Sequence, residues 1–223
     1  LVLLPGTWGD LARFAPLLEH LPVTLPVTVI ELTWQGGQVP SKVDYTMEQL
    51  ADQVLWALDE LKVETYFLGG HSLGAMIAVE VAGRNPEGML GAIPMEGWTH
   101  HTVVQTAFDG VVSLPRSPEE EAAYQAMRQR GTGHLSEEQR QTIGQIWKNW
   151  NGYRRLEQAR MPILHVWGDR GKPHATLEAL QIPERDSIEI AWMPGACHML
   201  VLQTPEILAE RMLGFMERCE KQQ

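Results

Sequence analysis

A serine hydroxyl is a weak nucleophile at neutral pH until a neighbouring base takes its proton. The segment FLGGHSLGAMIAVEVAG, residues 67–83, presents one such hydroxyl in a setting built for that purpose. Gly70-His71-Ser72-Leu73-Gly74 fits the pattern G-x-S-x-G, and it falls between an expected strand, TYFLGG (65–70), and an expected helix, AMIAVEVAGRNP (75–86). At such a strand-to-helix elbow the serine backbone is strained, so the residues two before and two after it must be small; Gly70 and Gly74 meet that need. The hydroxyl would then project from the C-terminal edge of a parallel sheet, where the first amides of the next helix also point.

The base has eight histidines to come from. His198, in PGACHMLVLQTPEIL, follows the last expected strand by a short loop and precedes the final helix, so it opens on the same sheet edge as Ser72. His71 adjoins the serine in sequence, but its side chain should point elsewhere. His165 alternates into a strand and reads as a core residue. His100 and His101 form a bare pair with no carboxylate at helical spacing, which reads as surface rather than as a metal site. Two carboxylates could orient His198: Glu96, at the end of the strand LGAIPME (90–96), and Asp169, in the turn Gly168-Asp169-Arg170-Gly171.

These residues need a scaffold, and the chain alternates β-rich runs with helical patterns, as βαβ units of a parallel sheet do. Strands are expected at 1–5, 27–32, 65–70, 90–96, 161–168 and 187–195. Helices are expected at 10–21, 46–63, 75–86 and 204–220, and a Gly-rich loop at 33–42. Thr46 with Gln49 and Ser136 with Gln139 form capping boxes, and Ser117 with Pro118 marks another helix start. From residue 99 to 158 only helical signals appear, the last of them running from Ser136 to Gln158. The reading is a core made of residues 1–98 and 159–223, with 99–158 as a helical lid.

The 223 residues suit one domain with a sizeable core, and the net charge of −10 comes without any Lys/Arg run that could follow a phosphate backbone. Nucleic acid is not an expected partner. No apolar run approaches a membrane span and no cofactor or metal motif appears. Cys197 and Cys219 fit neither a disulfide framework nor a zinc spacing, so a cytoplasmic setting is expected. The chain opens at Leu1 inside a strand-like run without a methionine, and some preceding sequence is expected. No signature of a particular oligomeric state is present.

Together these features resemble the α/β-hydrolase family over nearly the whole chain, in its order of nucleophile, acid and histidine. The resemblance implies an α/β fold with a mostly parallel sheet flanked by helices, the family's first two strands being absent here. LLPGTWGD (3–10) is similar to the family's oxyanion loop, with Pro5 where histidine is usual. By that match the N–H of Thr7, or of Trp8, joins that of Leu73 in binding an oxyanion. The family usually has G-x-x-D after its penultimate strand, and Gly171 stands at the acid's place. Certain dehalogenases and lactonases of the family carry the acid after the strand that ends at Glu96, and a carboxylate buried there needs a partner. Glu96 is therefore preferred to Asp169.

The resemblance implies a serine hydrolase acting on an ester, lactone or related carbonyl substrate without a cofactor. An alternative is a cofactor-free dioxygenase, or a C–C bond-cleaving enzyme, acting on an aromatic heterocycle, because LLPGTWGD, LTWQGG and PMEGW look like segments of the 3-hydroxy-4-oxoquinoline dioxygenases. The expected partner is a small molecule, apolar or aromatic, against Phe108, Tyr124, Trp147 and Trp150 of the lid; packing of those rings onto the core is the competing reading.

Overall fold

A computed structural model describes residues 1–37 and 40–221. Residues 38 and 39, within the Gly-rich loop expected at 33–42, lie outside the described residues. Six strands, β1 (Val2–Leu4), β2 (Thr28–Val29), β3 (Tyr66–His71), β4 (Met89–Met95), β5 (Ile163–Gly168) and β6 (Ile188–Met193), form one all-parallel sheet in the order β2-β1-β3-β4-β5-β6. This is the α/β sheet that the alternating pattern implies. The central strands β3 and β5 are buried at every residue, which explains why they read as continuous apolar runs.

Ten α-helices connect or flank the strands among the described residues: α1 (Ala15–Leu18), α2 (Met47–Glu60), α3 (Leu73–Ala82), α4 (Val103–Phe108), α5 (Pro118–Thr132), α6 (Glu137–Ile143), α7 (Tyr153–Gln158), α8 (Leu177–Leu180), α9 (Leu200–Gln203) and α10 (Pro205–Glu220). One apolar cluster joins α2 and α3 to one face of the sheet through Leu50, Val54, Leu68, Ile77 and Trp167. The other joins Phe14 and α10 to the opposite face through Leu3, Phe67, Ile93, Met212 and Phe215. The capping boxes expected at Thr46 and Ser136 are formed, and Ser117 caps α5 in a third box with Glu120.

Three local expectations change. The strand expected at 27–32 shrinks to two residues, because the Gln35 side chain accepts from Leu32 N–H at 2.8 Å and turns the chain away from the sheet edge. The helix expected at 10–21 divides into a 3₁₀ turn, Leu11–Phe14, and α1, with Pro16 unable to donate into the preceding ladder. The helical pattern from Ser136 to Gln158 is also discontinuous: α6 stops at Gly144, and α7 starts afresh after Asn151 accepts from Tyr153 N–H.

Between β4 and β5 the described residues hold helices α4 to α7 and no strand. A buried carboxylate fastens this segment to the core. Glu80 of α3 has no exposed surface and accepts from Trp150 Nε1 (3.0 Å), Arg155 Nε (2.8 Å) and Arg84 (3.2 Å). Among the described residues no helix is long and apolar enough to cross a membrane.

His165 is a core residue, fully buried on β5 and stacked flat against Trp167 with ring centroids 4.8 Å apart. Neither ring nitrogen has a partner, and burial lowers its pKa to about 3 against the opposing pull of the Glu96 charge. The unfolded chain, with its histidine near 6.5, therefore binds a proton that the folded chain does not, and stability falls as the pH drops from about 6.5 toward 3. His165→Phe, which keeps the stack, is expected to make the pH dependence of unfolding free energy shallower by up to about 1.4 kcal/mol per unit over this range. Urea denaturation at pH 6.5, 5.5 and 4.5 measures it.

Candidate active site

Ser72 sits between β3 and α3 with φ 56° and ψ −119°, a strained conformation at a sharp reversal. Its neighbours explain how the turn closes. A Cβ on Gly70 would collide with the Gly74 backbone, and a Cβ on Gly74 would collide with the Leu4 carbonyl. The elbow can thus lie flat across β1 only with glycine at both places.

His198 lies in the loop after β6, and its Nε2 is 3.0 Å from Ser72 Oγ. Its Nδ1 is 3.3 Å from Glu96 Oε2. An ionised carboxylate only accepts, so Nδ1 carries the proton and donates to Glu96, which leaves Nε2 free to accept from the serine hydroxyl. Ser72, His198 and Glu96, on three separate elements, thus form one hydrogen-bonded line.

Glu96 follows β4 with φ 53° and no exposed surface. Arg170 meets it in a two-pronged pair, Nη1 to Oε1 at 2.8 Å and Nη2 to Oε2 at 2.7 Å, and Gly168 N–H donates to Oε1 at 2.8 Å. Burial by itself would raise the Glu96 pKa. The hydrogen bonds and charge of Arg170, with those of His198, outweigh it and hold the carboxyl at about 2. Asp169 is occupied elsewhere: its Oδ1 accepts from Gly171 N–H and Gly195 N–H, each at 2.7 Å, and tightens the turn beside the site. The carboxylate that reaches His198 is that of Glu96.

The loop after β1 comes against the elbow. A Cβ on Gly6 would stand 3.0 Å from Ser72 Cβ and 3.1 Å from His71 Nδ1, so the loop lies in tight contact with the elbow and a side chain here would press on it. Gly9 N–H closes a turn onto Gly6 O, while Gln35 Nε2 donates to Gly6 O and Trp34 Nε1 to Thr7 O. The amides of Thr7 and Trp8 make no hydrogen bond among the described residues. Leu73, first residue of α3, likewise has no intrahelical acceptor for its N–H.

His71 points away from the hydroxyl. Arg13 Nη1 donates to its Nδ1 at 3.2 Å and its Nε2 donates to the His198 carbonyl at 2.5 Å. Burial, reinforced by the Arg13 and His198 charges, keeps its pKa well below the ordinary histidine range. It is a neutral strut under His198. His100 and His101 stack on each other away from this line, with His100 bonded to Thr102.

Ser72 and His198 open into a cavity of about 270 Å³. Tyr124 and Trp147 line it, together with Trp8 and Trp98, and Trp98 leans on the His198 ring at 5.2 Å. The other two aromatic candidates do not reach it: Trp150 is held by Glu80, and Phe108 packs against Trp167 beneath the Arg170 guanidinium. Three contributors escaped the sequence reading, namely Arg170, Arg13 and Trp98. Arg170 had a signal in principle, since a buried glutamate demands a cation, although nothing local says which.

The profile described as "Alpha/beta hydrolase family" matches residues 1–211. A protein of a Mycobacterium phage, provisionally named a non-heme haloperoxidase, is 26% identical over 204 residues, which cover 79% of this chain and 71% of that protein. A provisionally named carbamate hydrolase of Pantoea ananatis is 31% identical over 101 residues, 44% of this chain and 36% of its own. Among solved structures, the enol-lactonase of Burkholderia xenovorans superposes with a TM-score of 0.77 at 18% identity, covering 97% of this chain and 90% of that one.

The Glu96 pair sets an expectation for stability. Arg170→Met leaves a buried carboxylate with its cation removed and should lower the unfolding free energy by about 3–5 kcal/mol, whereas Glu96→Leu/Arg170→Met together should recover much of that loss. Chemical denaturation of the two variants beside the parent protein provides the comparison.

Proposed function

Because this chain belongs to the alpha/beta hydrolase family, an enzyme family, we propose that it is a serine hydrolase cleaving an ester, lactone or related carbonyl substrate through an acyl-enzyme on Ser72. The observation that carries this reading is the 3.0 Å contact of His198 Nε2 with Ser72 Oγ, in line with the contact of the same ring to Glu96. In the first half-reaction Ser72 Oγ bonds to the substrate carbonyl carbon as its proton passes to His198 Nε2. The carbonyl electrons move onto oxygen, where the amides of Leu73 and of Thr7 or Trp8 receive the charge; such donors are worth about 2.7–4 kcal/mol each to the transition state. Collapse of the intermediate expels the alkoxide, which takes the proton from His198. Water then repeats the sequence on the acyl-enzyme and returns the serine.

Glu96 stays ionised throughout, because Arg170 holds its proton affinity down. Its work is to keep the imidazole in one tautomer and to stabilise the imidazolium as it forms. Residues 99–158 act as the lid, supplying Tyr124 and Trp147 to the cavity wall, a surface that suits an apolar or aromatic portion of the substrate. Two buried, unpaired cysteines support a cytoplasmic setting.

Hydrolysis of a p-nitrophenyl ester, and labelling by a fluorophosphonate at one serine, are expected of the parent protein and lost in Ser72→Ala. Glu96→Gln should lower kcat by about 10³- to 10⁴-fold, while Asp169→Asn should stay within about threefold of the parent. Equal losses in the two would remove Glu96 from its role. Oxygen uptake with a 3-hydroxy-4-oxoquinoline, without ester hydrolysis, would favour the oxygenase chemistry instead.

The pH profile follows from the same geometry. With the Glu96 pKa at about 2, protonation of this carboxyl should add no break to the acid limb of kcat/KM until the pH approaches that value. A limb of slope two above pH 4 would contradict an ionised Glu96.

A further inference from the structure

The cavity beside Ser72 carries a charge opposite to that of the chain around it. Acidic residues outnumber basic ones 28 to 18, yet the cavity is lined by Arg13 and Arg128 and by no carboxylate. Arg13 is the more telling of the two. It lies in the 3₁₀ turn Leu11–Phe14 and is only 4% exposed. Its Nη1 donates to His71 Nδ1 at 3.2 Å and to Met199 Sδ at 3.3 Å, both uncharged partners. Its Nε is buried without any partner, and Nη2 makes no hydrogen bond among the described residues.

A buried cation ordinarily has a counter-ion, since removing it from water is costly. Asp10, three residues earlier, attracts Arg13 through space but forms no ion pair with it; its Oδ2 is held by Arg130 Nε at 3.3 Å and its Oδ1 is buried without a partner among the described residues. Arg116 and Arg128 act on Arg13 in the opposite sense. Arg116 is already paired with Glu121. The Arg128 guanidinium stands 5.9 Å from the ring centroids of both Trp8 and Tyr124, half-buried and without a carboxylate partner among the described residues. Two cations thus face a small cavity of about 270 Å³ that also holds Ser72 and His198. The rest of the wall mixes the apolar surfaces of Trp8, Trp98, Trp147 and Met76 with the polar groups of Thr7, Ser113 and Tyr124.

We propose that the substrate is a short ester or lactone bearing a carboxylate, which Arg13 and Arg128 bind while Ser72 reaches the carbonyl. This rests on the serine-hydrolase reading and adds the charge of the substrate to it. The carboxylate fills the place of the missing counter-ion at Arg13, where Nη2 is the accessible guanidinium donor that the protein leaves unused. In a cavity walled by indoles the attraction is screened less than at the surface, so the charge decides which esters enter. The volume is at the small end of ligand sites, which favours an acyl or leaving group of only a few carbons between the carboxylate and the reacting carbonyl.

Calorimetric titration of Ser72→Ala protein with monomethyl glutarate and with dimethyl glutarate tests this without turnover. The acid is expected to bind at least about tenfold more tightly than the diester, and to lose affinity as salt is raised. Added Arg13→Gln or Arg128→Gln should each shrink that ratio by about fivefold or more, and Arg13→Lys should restore part of it. If Arg13→Gln fails to fold, the half-buried Arg128 gives the same readout. In Ser72-intact protein the preference should reappear in KM for the p-nitrophenyl monoester of glutaric acid over p-nitrophenyl valerate. Equal binding of acid and diester, or a preference that survives in both arginine variants, would overturn the proposal. Absence of any charge preference in protein with both arginines intact, alongside Ser72-dependent ester turnover, would sink this inference alone, whereas charge-selective binding without such turnover would sink the hydrolase reading.

Discussion

A carboxylate with no exposed surface must be met by charge and donors on every side, and the meeting of Glu96 with Arg170 is the constraint from which the site follows. Glu96 belongs to the end of β4, Arg170 to the turn after β5 and His198 to the loop after β6. Three strand ends are therefore locked to one another at a single edge of the sheet. Arg170 also donates from Nε to the Val111 carbonyl, which draws the start of the helical segment over the same edge. Because Arg170 cancels most of the carboxylate's charge, the glutamate can stay ionised in the interior and still offer one oxygen to the imidazole.

Glu80 has a comparable effect at the other end of that segment. It is equally buried, it collects Trp150 and Arg155, and it sits on α3, the helix whose first amide lies beside Ser72. Residues 99–158 are thus pinned to the core by two internal carboxylates, one under the site and one on the helix that follows Ser72. The stretch between the pins lines the cavity with Tyr124, Arg128 and Trp147. The aromatic rings accordingly fall into two groups, with Trp150 and Phe108 holding the segment in place while Tyr124 and Trp147 shape the space.

Close approach of backbone is the second recurring device. Gly70 and Gly74 let β1 and the elbow lie in contact where any side chain would separate them, and Gly6 brings the loop after β1 tightly against the same elbow. Trp34 and Gln35 then claim the carbonyls of Thr7 and Gly6, so the loop is held from its acceptor side. His71, kept neutral by burial, fills the space beneath and supports the His198 carbonyl. Rigidity around the hydroxyl comes from these neutral hydrogen bonds and short contacts rather than from mobile charge.

The sequence by itself determined whatever depends on neighbours along the chain. A strand-turn-helix reversal needs small residues at fixed offsets, so Gly70 and Gly74 marked Ser72; capping boxes close within three residues, so Thr46 and Ser136 marked their helix starts; the parallel sheet follows from the alternation of buried runs with amphipathic ones. His198 could be chosen among eight histidines because topology sends the loop after the last strand to the same edge. Other features were decided only by packing. The chain around Ser136 to Gln158 has helical spacing throughout, yet Gly144 and Asn151 break it once the segment must fold over the core. Arg170 stands 74 residues from Glu96 and Arg13 stands 58 from His71. Nothing in the flanking residues announces either contact, because a long flexible side chain finds its partner through the tertiary fold, and burial, which makes such a contact matter, is a property of the assembled structure.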